Sequence, residues 1–130
     1  MFDGKRAFSS YSVDDLAAAG RFYGQTLGLT VGEEPEMGLL SVQLAEDKQL
    51  MLYSKENHAP ATYTVLNLPV DDIDAAVDEL ARRGVRFERY EGFEQDEKGI
   101  ARPPSPEHGP PIAWFTDPAG NVLAVLEIPE

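Results

Sequence analysis

A chain of 130 residues can close one hydrophobic core without staples, because at this length roughly two-thirds of the unfolded surface is buried. It contains no cysteine, which excludes a disulfide framework, a thiolate metal site and a cysteine nucleophile. Its 23 acidic residues against 11 basic ones leave a formal net charge of -12, so phosphate backbones and anionic lipids are repelled, and nucleic acid and membrane are poor partners. Such a surface serves solubility first and attraction of a cationic ligand second.

Met1 to Ser10 is mixed polar, with Lys5 and Arg6 but no apolar run after them. The expectation is a chain without signal peptide or membrane span, suited to a reducing cytoplasm. Ala7 to Val13 then reads as a strand, and Asp14 and Asp15 supply the cap and first-turn charges of a helix. Leu16, Ala19, Gly20, Tyr23 and Leu27 follow at helical spacing, and Gly28 is placed to end that helix. Leu29 to Glu34, Leu39 to Ala45 and Gln49 to Ser54 are the next predicted strands.

After the polar link Lys55 to Pro60 the same order returns. Pro69-Val70-Asp71-Asp72-Ile73 repeats Ser12-Val13-Asp14-Asp15-Leu16 at an offset of 57 residues, and Ala75-Ala76 falls on Ala18-Ala19. Ile73, Ala76, Val77 and Leu80 form the apolar stripe of a second helix that Gly84 ends. Val85 to Tyr90, Ile112 to Thr116 and Val122 to Ile128 are predicted strands, so the halves are expected to match element for element. Glu91 to Pro111 interrupts the second half with five prolines, which exclude helix and regular internal strand. An ordered loop with extended pieces is expected there, serving function or lying as a surface flap.

The last two strands flank Asp117-Pro118-Ala119-Gly120, whose residues suit the successive positions of a type I turn. Two strand-helix-three-strand halves ending in Asp-Pro-Ala-Gly-Asn resemble the vicinal oxygen chelate superfamily, which includes glyoxalases, bleomycin resistance proteins and extradiol dioxygenases. Ser12-Val13-Asp14-Asp15-Leu16, Phe22-Tyr23, Leu27-Gly28-Leu29 and Trp114 to Asn121 carry the resemblance, which covers nearly the whole chain.

The resemblance implies an α+β fold of two βαβββ repeats, forming curled mixed sheets around a cup with helices on the outer face. It makes residues 1–130 a single domain of two modules, about 5–55 and 61–129. It also implies a homodimer. In metal-using members the ligands, typically His and Glu, come from the first and last strands of each half. The corresponding positions here are Phe8, Met51, Val65 and Ala124, which offer hydrocarbon or a weak thioether. No metal and no cofactor are therefore expected.

In the family register Phe8, Ser10, Ser12, Met51, Tyr53, Val65, Asn67, Ala124 and Leu126 line the cup, with Trp114 at its rim. That set suits an organic-ligand pocket and equally a packed core. From the loop, Arg102 is a candidate partner for an anionic ligand and His108 a candidate acid or base, whereas His58 and His108 also read simply as exposed loop residues. Asp14, Asp15, Asp71 and Asp72 are read as helix caps rather than catalytic pairs.

The expected function is metal-independent binding of a small organic, perhaps cationic, molecule with Phe8, Ser10, Met51, Tyr53, Val65, Asn67, Arg102, His108, Trp114 and Ala124. The alternative is a glyoxalase-like lyase or isomerase, or a dioxygenase, with a relocated or metal-free active site.

Overall fold

Local chemistry starts both helices in the same way. The computed structural model describes residues 1–130. In it the Asp15 carboxylate accepts a hydrogen bond from the Ala18 amide at 3.1 Å, and Asp72 accepts one from the Ala75 amide at 3.2 Å. Each aspartate thus satisfies one of the amides that a helix N-terminus leaves without a partner. Helix α1 runs over Leu16–Arg21 and α2 over Ile73–Arg82.

The chain divides into two compact units, Met1–Pro60 and Ala61–Glu130. In the first, β1 (Ser9–Val13), β2 (Thr30–Glu34), β3 (Leu39–Ala45) and β4 (Lys48–Ser54) form a sheet in the order β1-β4-β3-β2. The β1–β4 pair is parallel and the other two pairs are antiparallel. Alternate residues Val13, Leu40, Val42, Leu50 and Leu52 are buried, as are Ala19 and Tyr23 from the helical segment. The period of two thus sends one face of the sheet into this unit's core, with α1 packed on β3 and β4.

The first strand begins at Ser9 rather than Ala7, preceded by a 3-10 turn over Gly4–Arg6. The first helix also departs from the expected continuous run to Leu27. After Arg21 it widens into a π-helical turn, Phe22–Thr26, in which the Leu27 amide reaches back to the Phe22 carbonyl at 2.9 Å. Tyr23 is fully buried in that turn, and its hydroxyl lies 2.7 Å from that of Tyr11.

The second unit holds β5 (Thr64–Val70), β6 (Ile112–Thr116) and β7 (Val122–Glu127) in the order β5-β7-β6. The β5–β7 pair is parallel and β6–β7 is antiparallel, so both sheets are mixed and the fold is α+β, as expected. Helix α2 packs on β7, and Ile73, Val77, Phe115, Leu123 and Val125 are buried. At the hairpin the Gly120 amide bonds the Asp117 carbonyl at 2.9 Å, which closes the predicted four-residue turn. The buried Asp117 carboxylate accepts from the Ala119 and Asn121 amides and from the Asn121 side chain, and Asn121 in turn accepts from the Ala61 amide at 3.1 Å. Both buried polar residues are thus satisfied.

The two units do not match element for element. The predicted strand over residues 85–90 is reduced to a single bridge between Phe87 and Phe115, with the Glu88 amide bonding the Trp114 carbonyl. The Gln95 side chain then takes up the backbone that a strand would have paired. It accepts from the Tyr90 amide and donates to the carbonyls of Glu88 and Gly99, each at 2.8 Å. The chain turns away from the sheet and regains the edge of β6 at Ala101, which bonds Ile112 in both directions.

Candidate functional site

Strand register decides which predicted site residues share a row. In the first unit Ser10 lies opposite Met51, which lies opposite Ser41; one step along, Ser12 faces Tyr53. This is the face of the sheet away from the buried alternates. Ser10 is exposed, Ser12 and Met51 are half-buried, and Tyr53 and Phe8 are 37% and 66% exposed. Phe8 precedes β1 and, with Met51, lines a groove of about 500 Å³ whose charged groups are Lys5, Arg6, Glu46 and Asp47.

His58 approaches the same face. Its Nδ1 lies 2.6 Å from the Ser12 hydroxyl, and the ring is half-buried rather than exposed as a loop histidine would be. Sequence reasoning missed this pair because 46 residues separate its members. His108 is exposed, with its Nδ1 2.8 Å from the Ser105 hydroxyl in a short 3-10 turn.

In the second unit the equivalent row is Asn67, Ala124 and Trp114. Asn67 is exposed, but Ala124 is fully buried and Trp114 nearly so. The loop accounts for that difference in part, because Tyr90 packs edge-on to Trp114 with ring centroids 5.5 Å apart and Phe93 packs tilted at 5.0 Å. Ala101 and Val122 complete this cluster. Burial and the neighbouring Glu88 charge push the Tyr90 phenol above its ordinary range. Val65 sits at an irregularity of β5, where the register slips between Thr64 and Leu66, and is half-buried.

Arg102 is engaged elsewhere. Its guanidinium bonds Asp74 of α2 at 2.7 Å and Asp96 at 3.2 Å, while Lys98 bridges Asp74 and Asp78. The network ties the loop to the outer side of α2. The hydrogen bond from Arg102 holds the Asp74 carboxyl below the usual carboxylate range, with Lys98 adding to the effect. Burial works against ionisation of Asp96, but the Ile100 and Lys98 amides and Arg102 outweigh it and keep that carboxyl low as well.

The four positions at which the resemblance implies metal ligands cannot supply them. Phe8, Met51, Val65 and Ala124 carry no imidazole or carboxylate, and nowhere do three or more His, Asp or Glu side chains converge to hold an ion. The residues present do not fit the metal of the metal-using members.

Among solved structures the chain is similar to TnmS3, an antibiotic binding protein from Streptomyces sp. CB03234, with 27% identity, TM-score 0.65, and 95% of this chain and 96% of the other covered. A glyoxalase/bleomycin resistance protein from the same strain shares 27% identity at TM-score 0.60, covering 92% and 99%. One from Catenulispora acidiphila DSM 44928 shares 25% at TM-score 0.61, covering 95% and 98%. None of the curated proteins compared with the chain matches it. The family model of the Glyoxalase/Bleomycin resistance protein/Dioxygenase superfamily matches residues 8–125, which span both sheets and the turn between β6 and β7, and the chain belongs to that superfamily.

Proposed function

We propose that this protein binds an organic molecule without a catalytic metal and without transforming it. The observation that carries the reading is the chemistry of Phe8, Met51, Val65 and Ala124, which puts apolar side chains at the positions where a cation would need ligands. In the first unit Ser10 and Tyr53 supply exposed polar groups beside Met51, and in the second Asn67 supplies one, while Trp114 packs with Tyr90 and Phe93. Apolar walls with sparse polar groups suit an organic ligand. The similarity to a protein named for antibiotic binding supports the same reading.

Arg102 and His108 belong to this reading as secondary contacts. The Asp74 and Asp96 partners of Arg102 make it a weaker anion binder than a free guanidinium. The same reading has one domain of two modules working as a cytoplasmic homodimer, which light scattering of the purified protein tests directly.

Thermal-shift measurement against a panel of antibiotics tests binding, since a ligand that prefers the native state raises apparent stability by about 2.7 kcal/mol at a hundred times Kd. A rise in Tm abolished by Met51→Asp is expected. Stoichiometric zinc, iron or manganese retained after dialysis would overturn the metal-free reading, and turnover of the bound compound would overturn simple sequestration.

A further inference from the structure

The proline-rich loop builds a second recess. Ala101 and Ile112 bond each other at 2.8 and 3.0 Å and pinch the loop at its base, and the Glu127 amide bonds the Pro111 carbonyl at 3.0 Å. Between loop and strand end lies a groove of about 510 Å³, lined by six prolines from Pro103 to Pro129, by Ile128 and by Glu127. Proline rings fix φ and lose little freedom when a ligand arrives, so the walls are held apart in advance.

Glu127 is the only charged residue of the lining. It is half-buried, its backbone amide is engaged, and its carboxylate makes no ion pair or hydrogen bond. The other carboxylates at or below half exposure in this loop and its hairpin, Asp96 and Asp117, are satisfied by amides, an amide side chain or a guanidinium. A partly desolvated carboxylate set in hydrocarbon favours an opposite charge that brings its own apolar surface. A hydrated metal ion would need several oxygen ligands, and a primary ammonium would need acceptors for three N-H bonds, whereas among its rings the lining offers one carboxylate side chain and the Ser105 hydroxyl, which already pairs with His108 Nδ1.

We propose that this groove is a binding site for a small tertiary or quaternary ammonium compound, its cationic head against Glu127 and its hydrocarbon body on the proline rings and Ile128. The net charge of -12 raises the local concentration of such cations. The site is separate from the row proposed above to bind a ligand, because Glu127 alternates with Ala124 along β7 and shares the parity of Leu123 and Val125. Its success or failure is therefore independent of that reading.

Benzyltrimethylammonium is the probe, titrated into 15N-labelled protein, with benzenesulfonate as the anionic counterpart of similar size. Saturable shifts centred on Glu127 and Ile128 are expected, with Glu127→Gln weakening the affinity by about tenfold or more, as loss of a charge-assisted contact requires. Equal affinity for wild type and variant, comparable binding of benzenesulfonate, shifts centred instead on Asn67 and Trp114, or no saturable binding at tens of millimolar would each overturn the assignment. The wild-type shift map and the sulfonate comparison decide the matter even if the variant does not fold.

Discussion

The Ser10–Met51 row of the first sheet and the Asn67–Ala124 row of the second hold the same register, yet they differ in cover. Ser10 and Tyr53 meet solvent, whereas Ala124 is sealed and Trp114 is packed by Tyr90 and Phe93. What separates them is the segment after α2, in which the chain leaves the sheet at Tyr90 and returns at Ala101. A loop inserted into one unit has thus made a hydrophobic cluster out of a surface that the other unit leaves to solvent or ligand.

The contrast is broken most severely at Trp114. Trp114→Ala removes the ring on which Tyr90 and Phe93 pack, and urea unfolding is expected to show a loss of about 3–5 kcal/mol. Asp117→Ala comes next, since it leaves three buried donors without their acceptor; a loss of about 2–3 kcal/mol is expected by the same measurement. Removing each cap asks whether the units share one stability. Asp15→Ala and Asp72→Ala are each expected to cost about 1 kcal/mol, and hydrogen exchange will show whether α1 and α2 loosen separately.

The ion pairs on α2 sharpen the comparison with a smaller effect. Asp74 and Asp96 have depressed pKa values in the folded protein, so their contribution is present above the unfolded value of about 3.9 and is lost as pH falls through the lower folded value. The protection factors of the Ile100 and Ala101 amides, taken against the intrinsic rate at each pH, should therefore fall in acid below about pH 4, while those of β3 and β4 amides respond less. High salt should move the loop in the same direction, because these groups are largely exposed. Tyr53→Ala is expected to change stability least, by no more than about 0.5 kcal/mol, and chemical denaturation with and without a bound antibiotic will separate that small effect from a binding effect.

Features set by neighbours in sequence were readable from the residues alone. Asp15 and Asp72 cap their helices, the α2 stripe holds and the turn after Thr116 closes, each through groups within four residues. Asp14 and Asp71, by contrast, lie before the caps, and α1 gives way to a π-helical turn after Arg21. The strand over residues 85–90 was not readable, because its apolar alternation is genuine and the diverting group is the amide of Gln95, farther along the loop. Nor was the engagement of Arg102, whose partner Asp74 lies 28 positions away on a helix face that sequence reads as plain solvent surface. In the candidate site the expectation that Ser10 and Met51, and Asn67 and Ala124, share a face came from the register that the family resemblance implies, and the strand pairing puts each pair in one row. The packing of Phe93 and Tyr90 on Trp114 came only with the path of the loop.

In each unit the first strand pairs in parallel with the last, and this fixes when each sheet can close as the chain leaves the ribosome. Ser9 needs Leu50, 41 residues later, whereas Thr64 needs Val122, 58 residues later. The first sheet can be complete while most of the second unit is still unmade. The second must hold β5 without its parallel partner until those further residues have emerged, with the slower closure expected of distant pairings. During that interval the apolar residues Val65, Leu66 and Leu68 lie on an unpaired strand, which is open to wrong pairing and to chaperone capture.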